Sequence, residues 1–382
     1  MNRRSGFGFG AVAKTAAAGI VLSWVVAITG CSSSPSSLPE DGSDGAEAGA
    51  SGASGTAGTP GTAGGAGSSG SAGTSGSAGT SGTAGTGSEN RQTAPTSCTG
   101  KNGAKGDRTY TINEAKVTLH VPANVDPSKG AMLVLNFHGF LSDATQQQLV
   151  TGMNKEADAK GILVAYPNGA GSSWNAGECC GDARKQNRDD VGMVKALLAE
   201  IDKDYCVDKA RIHATGFSNG GFFANRLACE MSETFASIAV ASGGLGVPDA
   251  ACTPKRPVPY FHSHGTADEI VPFKGGKPTI GGDLLKGLVN ELAGTFRPVD
   301  ETVGYWKKNA NCTEATSVAV EKGDSKCVVW DKCQNGAAVE FCTITDMGHN
   351  WPGGFPNPFG GKYSNTIAIT PMIVEFFEKH PM

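Results

Sequence analysis

The chain has 382 residues, and its 32 Lys and Arg against 36 Asp and Glu give a formal net charge of -4 at pH 7. The basic residues are scattered and form no stripe, so the composition argues against a nucleic-acid-binding protein. Roughly 285 residues, from 98 to 382, have ordinary globular composition, which is enough for one large domain that folds without a partner.

The first 30 residues resemble an export signal. Positive charges at the start are followed by an apolar run over 16–28 that is too short to span a bilayer. The sequence Ile-Thr-Gly-Cys at 28–31 resembles the cleavage box of bacterial lipoproteins. We therefore expect removal of 1–30, acylation of Cys31 and attachment of the exported protein to a membrane of the cell envelope. An ordinary signal peptide, with release outside the cell, is the alternative.

Residues 31–97 form a tract rich in Gly, Ser, Ala and Thr. Glycine recurs at every third position from Gly49 to Gly85, which is the spacing that a collagen triple helix requires. This stretch contains a single proline, Pro60, whereas collagen-like sequences contain many. We expect a flexible spacer and a monomeric protein; a trimerising stalk is the alternative.

Ten cysteines remain once Cys31 is set aside. An even number of cysteines in an exported chain predicts disulfide bonds. Proximity in the sequence favours a bond between Cys229 and Cys252. It also favours bonds within a second group, made of Cys312, Cys327, Cys333 and Cys342.

From about residue 109 onwards, segments typical of strands and of helices alternate. Strands are predicted at 116–121, 131–137, 162–166, 211–215, 238–241, 259–262 and 339–344. Helices are predicted at 141–160, 189–204, 221–229, 303–308 and 369–379. Asp189 and Asp190 stand at a predicted helix start, where we expect capping. The alternation indicates an α/β fold with a mostly parallel central sheet and helices on both faces.

The sequence Gly-Phe-Ser-Asn-Gly at 216–220 fits the G-x-S-x-G pattern of a nucleophile elbow, between a predicted strand and a predicted helix. In this tight turn the hydroxyl of Ser218 stands clear of the sheet. Gly216 and Gly220 let the strand and the helix pack closely, where a Cβ atom would clash. Ser218 is therefore the expected nucleophile.

A serine nucleophile needs a histidine base held by a carboxylate, and α/β-hydrolases place them in the chain order Ser, acid, His. His349 is the expected base, because it stands late in the chain, in a loop after the predicted strand at 339–344. Asp268 is the expected acid, because it follows the strand at 259–262; its neighbour Glu269 is the alternative.

The tetrahedral oxyanion of acyl transfer needs N–H donors. Asn219, directly after the nucleophile, is expected to supply one backbone N–H group. Phe140, in the loop after the strand at 131–137, is expected to supply the other. His138 is expected to orient that loop on the substrate side.

A metal site is weighed against this scheme. His262 and His264 lie two residues apart on a predicted strand and so share a face, but a third ligand is not evident. The cysteines lack the paired Cys-x-x-Cys spacing that is typical of zinc sites. We expect neither a metal nor an organic cofactor.

Seven motifs follow one another in the globular part. They are His-Gly at 138, Tyr-Pro-Asn-Gly at 166, Trp-Asn-Ala-Gly-Glu-Cys-Cys-Gly at 174, Asp-Asp-Val-Gly at 189, Gly-Phe-Ser-Asn-Gly-Gly at 216, His-Gly-Thr-Ala-Asp at 264 and Gly-His-Asn-Trp-Pro-Gly at 348. This ordered set resembles the secreted family of feruloyl esterases and poly(3-hydroxybutyrate) depolymerase-like esterases. The resemblance covers nearly all of 98–382. It implies the α/β-hydrolase fold and hydrolysis of an ester on a large polymer.

We therefore expect an exported serine esterase that acts on polymer-linked esters, most of all feruloyl esters of plant xylan. Trp174 and Trp351 are further candidates for the substrate site beside His138, because an aromatic face stacks on a ferulate ring or a sugar. Core packing is the alternative for both tryptophans. Alternative functions are a polyester depolymerase, a peptidase and, from another class, a non-catalytic surface lipoprotein that binds a polymer.

Overall fold

The computed structural model describes residues 98–126, 128–279, 294–313 and 317–382. The expected signal at 1–30, the expected lipidation site at Cys31 and the glycine-rich tract lie outside the described residues. Among the helices that are described, none has both the length and the apolar character needed to cross a membrane.

One mixed sheet organises the described part of the chain. Its ten strands are Arg108–Ile112 (β1), Ala115–His120 (β2), Ala131–Phe137 (β3), Leu163–Pro167 (β4), Val207–Phe217 (β5), Ser237–Ala241 (β6), Tyr260–Gly265 (β7), Ser317–Lys322 (β8), Ser325–Trp330 (β9) and Val339–Ile344 (β10). Their spatial order is β1-β2-β4-β3-β5-β6-β7-β10-β9-β8. Neighbours from β4 to β10 in this order pair in parallel, and the outer strands pair antiparallel. The predicted mostly parallel sheet is confirmed.

Helices cover both faces of this sheet. Those described are Ala144–Thr151 (α1), Met153–Lys160 (α2), Gly181–Lys185 (α3), Asp190–Asp204 (α4), Asn219–Glu230 (α5), Val299–Asn309 (α6) and Ile369–Lys379 (α7). Residues of α4, α5 and α6 share one apolar cluster, and residues of α1, α2 and α7 share a second one. Strand β3 contributes side chains to both clusters. Leu133 and Leu135 belong to the first, and Met132 and Val134 belong to the second, because successive side chains of a strand point to opposite faces.

The structure differs from the predicted elements in several details. The helix expected over 141–160 is split into α1 and α2, because Gly152 has φ 58° and ends α1 in the left-handed conformation. The outer strands β1, β8 and β9 were not predicted. In β1 and β8 most residues are exposed, so they lack the apolar alternation that marks a half-buried strand.

Disulfide bonds join all ten cysteines of the described part. The pairs are Cys98–Cys206, Cys179–Cys180, Cys229–Cys252, Cys312–Cys333 and Cys327–Cys342. The predicted Cys229–Cys252 bond is confirmed, and the four last cysteines pair among themselves as expected. The four bonds that close a chain loop typically stabilise a fold by about 2–4 kcal/mol each.

Buried histidines make the stability of this fold sensitive to acid. Desolvation lowers the pKa of His138 to about 4 and that of His213 to about 3, and it brings the pKa of His262 well below its usual value. In an unfolded chain these side chains titrate at about pH 6.5. Because the unfolded state then binds protons that the folded state excludes, His138 and His213 each lower the free energy of unfolding by about 1.4 kcal/mol per pH unit as the pH falls from about 6.5 towards their folded-state pKa values, below which the loss stops.

Urea unfolding at about pH 7.5 and about pH 5.5 measures this loss. We expect His213→Gln to lose less stability between the two pH values than the parent. Burial raises the pKa of Glu340 to about 7, so this group increases the free energy of unfolding as the pH falls, opposite to the histidines. The test therefore compares the loss in the parent with the loss in the variant. An equal loss in both proteins would contradict the assignment to His213.

Candidate active site

The turn between β5 and α5 holds Ser218 in a strained conformation. Ser218 has φ 55° and ψ -122°, a region that residues with a Cβ atom seldom adopt and that costs about 1–3 kcal/mol. Two backbone hydrogen bonds hold it there. Its N–H group donates to the carbonyl of Ala241 at 3.0 Å, and its own carbonyl accepts from the N–H of Phe222 at 3.0 Å. The serine is thus fixed at the carboxyl end of β5.

The glycines of the elbow have the role that the motif predicts. A Cβ atom on Gly216 would lie 2.4 Å from the backbone of Gly220. A Cβ atom on Gly220 would lie 2.1 Å from the carbonyl oxygen of Phe137, at the end of β3. Both distances are far shorter than a carbon contact allows. The close approach of strand, helix and neighbouring loop therefore requires glycine at both positions.

His349 and Asp268 meet although 81 positions separate them in the chain. Strands β7 and β10 are parallel neighbours, so the loops after them share one edge of the sheet. His349 Nδ1 lies 2.7 Å from Asp268 Oδ2, and both side chains are buried. The imidazole ring is also 4.8 Å, between centroids, from the ring of Phe217, the residue before Ser218. The structure therefore pairs the expected base with the expected acid and places the base against the residue that precedes the expected nucleophile.

Asp268 is held as an anion. Its Oδ1 accepts hydrogen bonds from the N–H groups of Ile270 at 2.9 Å and Val271 at 2.8 Å. Burial by itself would raise the pKa of Asp268. The interaction with His349 and the hydrogen bonds from His264 and His349 outweigh burial and hold this pKa well below its usual range. An ionised carboxylate at this point can orient the imidazole and stabilise its protonated form.

The alternative acid, Glu269, does not occupy this place. Its side chain is exposed, whereas Asp268 is the neighbour that bonds His349. The contribution of Glu269 to the loop is its carbonyl oxygen, which accepts from the N–H of Thr279 at 2.7 Å.

The loop after β3 stands against the nucleophile. A Cβ atom on Gly139 would lie 3.4 Å from the Cβ of Ser218, so Phe140 follows a residue that touches the elbow. His138 fixes this loop from behind: its Nε2 accepts from Gly169 N–H at 2.9 Å, so its Nδ1 carries the proton and donates to Gly139 O at 2.7 Å. The side chain is fully buried. His138 orients the loop, and the expectation that it also contacts substrate is wrong.

Asn219, at the first position of α5, is locked by its side chain. Its Oδ1 accepts from the N–H of Trp174 at 2.7 Å, and its Nδ2 donates to the carbonyl of Trp174 at 3.0 Å. Its Nδ2 is also 3.5 Å from Sγ of Cys179, a contact that the sequence did not reveal. The two hydrogen bonds to Trp174 set the orientation of the residue whose backbone N–H is the expected oxyanion donor.

The two tryptophans expected to wall the substrate site are core residues. Trp174 has no exposed surface, stacks on Phe223 at 5.3 Å between centroids and donates from Nε1 to the carbonyl of His138 at 3.0 Å. Trp351 is equally buried and donates from Nε1 to Thr370 Oγ1 at 2.9 Å. Neither indole face is open to a ligand, so this expectation is wrong. Both rings support the site from inside.

The two aspartates at the start of α4 have different structural roles. Asp189 caps the helix, since its Oδ1 accepts from the N–H of Gly192 at 2.7 Å, which confirms the prediction for that residue. Asp190 is buried, pairs with Arg188 at 2.7 Å and accepts from the N–H of Asn175 at 2.7 Å. It therefore anchors the segment that carries Trp174.

Metal binding has little support among the described residues. Cys327, Glu340 and Cys342 are the one group with ligand-like spacing in that part of the chain, and its two cysteines form a disulfide bond. The ring nitrogens of His262 and His264 are engaged in hydrogen bonds with protein atoms.

Comparison with known proteins shows similarity to carboxylesterases. The sequence pattern of the family described as Phospholipase/Carboxylesterase matches residues 182–288, a stretch that contains both Ser218 and Asp268. Feruloyl esterase B of Piromyces equi is 31% identical over 241 residues, which is 61% of this chain and 42% of that protein. The putative esterase NocK of Nocardia uniformis subsp. tsuyamanensis is 32% identical over 238 residues, 60% of this chain and 68% of that protein.

The chain therefore spans less than half the length of the first of these relatives and about two thirds of the second. Among solved structures, an acetyl xylan esterase from Aspergillus awamori aligns with 72% of this chain and 99% of its own, at 14% identity and a TM-score of 0.47.

Proposed function

Because this chain belongs to the feruloyl-esterase-like family of α/β-hydrolases, we propose that it hydrolyses carboxylic esters attached to plant polysaccharide, with feruloyl esters of xylan as its main substrate. The observation that carries the proposal is the buried pair His349–Asp268, at 2.7 Å, beside the strained elbow of Ser218. This is the arrangement that serine acyl transfer needs. The relative named feruloyl esterase B supports the choice of acyl group.

In the proposed reaction, Ser218 Oγ attacks the carbonyl carbon of the ester while His349 takes the hydroxyl proton. The new oxyanion accepts hydrogen bonds from the backbone N–H groups of Asn219 and Phe140. When the tetrahedral intermediate collapses, the bond to the alcohol oxygen breaks and His349 returns the proton to that oxygen. Water then attacks the acyl-enzyme by the same steps in reverse, which frees the acid and restores Ser218.

The part of the chain before residue 98 carries the features from which we propose a location for the enzyme. We propose export, acylation of Cys31 and tethering through the glycine-rich tract, so that the enzyme reaches polymer away from the membrane. Five disulfide bonds in the described residues support an oxidising compartment. The parent should partition with membranes and incorporate labelled palmitate, and Cys31→Ser should do neither. A parent found unlabelled in the medium would contradict the anchor.

Substrate choice is tested with the full, oxidised chain on methyl ferulate, feruloylated arabinoxylan and poly(3-hydroxybutyrate) film, with Ser218→Ala as the control. We expect ferulate release from the first two substrates and little erosion of the film. Film erosion without ferulate release would favour the polyester alternative. A folded parent that is inert on all three but is retained by the polysaccharide would favour the non-catalytic binding protein.

A further inference from the structure

Three buried side chains form a line behind the proposed acid. Tyr260, His262 and His264 alternate along β7, so they share one face of the strand, and none has any exposed surface. Tyr260 Oη lies 2.5 Å from His262 Nδ1. His262 Nε2 lies 3.1 Å from His264 Nδ1. His264 Nε2 lies 2.9 Å from the carbonyl oxygen of Val271. The proposed mechanism leaves these side chains without a task.

The direction of each hydrogen bond in this line is assigned from its last acceptor, the carbonyl oxygen of Val271. A carbonyl oxygen can only accept, so His264 Nε2 carries the proton and donates to Val271. With one proton on each imidazole, His264 Nδ1 accepts from His262 Nε2–H. His262 Nδ1 in turn accepts from the hydroxyl of Tyr260. Burial, and to a lesser extent the neighbour His264, lower the pKa of His262 well below its usual value, which agrees with a neutral His262 in this order of donors.

The line ends on the carboxylate that bonds the proposed base. His264 Nε2 lies 3.3 Å from Asp268 Oδ2, the same oxygen that is 2.7 Å from His349 Nδ1. Val271 closes a ring, because its N–H donates to Asp268 Oδ1 while its carbonyl accepts from His264. One imidazole N–H thus bonds the loop that carries the carboxylate and lies beside the carboxylate itself.

We propose that His264 is a positioning residue for the hydrolytic reaction, which fixes Asp268 against His349, and that His262 and Tyr260 hold it in the tautomer that this requires. The proposal rests on the function proposed above, in which Asp268 is the acid of the triad. His264 itself touches neither substrate nor reacting atoms. Its loss should therefore lower the rate at which bound substrate reacts, kcat, and leave substrate affinity unaltered.

Two variants of His264 test its two ring nitrogens separately. In His264→Gln the new side-chain amide would reach the place of Nε2 and could still donate to Asp268 and Val271. In His264→Asn the shorter side chain would end near the place of Nδ1, so its amide could reach neither group. We expect His264→Asn to lower kcat about 10- to 100-fold with KM within about twofold, the scale of one lost hydrogen bond to a charged group. His264→Gln should recover most of the parental kcat.

A second readout follows the His349–Asp268 bond directly. The low-field proton resonance of His349 Nδ1–H should be sharp in the parent and in His264→Gln, and broadened by exchange in His264→Asn. Thermal unfolding of all three proteins shows whether the variants fold. Equal kcat and an unchanged resonance in folded His264→Asn would overturn the inference.

Ser218→Ala and Asp268→Asn are measured in the same assays as tests of the proposed function. If these two variants remain active, the proposed function itself fails. If they are inactive while His264→Asn has parental kcat, the triad stands and only the role of His264 is refuted.

Discussion

Ser218→Ala is expected to lower kcat for methyl ferulate by about 10⁴- to 10⁶-fold, because removal of a nucleophile leaves only oxyanion stabilisation and substrate binding. The fold should survive, since the strain of the elbow is in its backbone and the bonds from Ser218 to Ala241 and Phe222 are made by main-chain atoms. The assay is initial-rate kinetics on the oxidised full chain, with thermal unfolding as the measure of folding.

Ser263→Ala is the matched control for this experiment. Ser263 is buried in β7, and its hydroxyl has no hydrogen-bond partner within the described residues. Its loss removes the same oxygen atom from the same sheet and should leave kcat unchanged. Activity retained in Ser218→Ala would refute the serine mechanism. Polymer retention with no turnover in either the parent or the variant would instead point to a binding protein.

Asp268→Asn is expected to lower kcat by about 10⁴-fold while the protein remains folded. The amide is nearly isosteric with the carboxylate, so it can still accept the N–H groups of Ile270 and Val271. It carries no charge, however, and can present an N–H group to His349 Nδ1, which selects the wrong tautomer of the imidazole. The loss should therefore appear in kcat rather than in KM.

Glu269→Gln provides the control, since it makes the same chemical change one residue further along an exposed part of the loop. We expect its kcat to stay within about twofold of the parental value, the scale of surface changes away from a site. A large loss in Glu269→Gln together with activity in Asp268→Asn would reverse the assignment of the acid.

Several features of this protein were accessible from local sequence. The elbow at 216–220 was recognisable because a strained turn demands glycine on both sides of the serine, and the structure places Gly216 and Gly220 at contacts that exclude a Cβ atom. The strands β3 and β10 and the helix α7 were predicted with the bounds that the structure has. Their apolar periodicity is a local property, so a single sequence carries it.

Other features depend on elements that are distant in the chain. The choice between Asp268 and Glu269 required the pairing of β7 with β10, which brings His349 against one carboxylate and leaves the other exposed. The burial of Trp174 and Trp351 is set by tertiary packing, because an aromatic residue in a motif carries no local sign of which side of a loop it faces. The Cys98–Cys206 bond spans 108 positions and has no local signal at all.

The sequence by itself determined the class of fold and the serine and histidine proposed for the chemistry, since strand endings and glycine-lined turns are set by neighbours in the chain. Only the tertiary structure decided which carboxylate holds His349 and which aromatic rings are buried. It also revealed the line from Tyr260 through His262 and His264 to Asp268. Those relations are made by packing across the sheet and by the direction of buried hydrogen bonds. Both follow from the order of strands in space, which their order in the chain does not disclose.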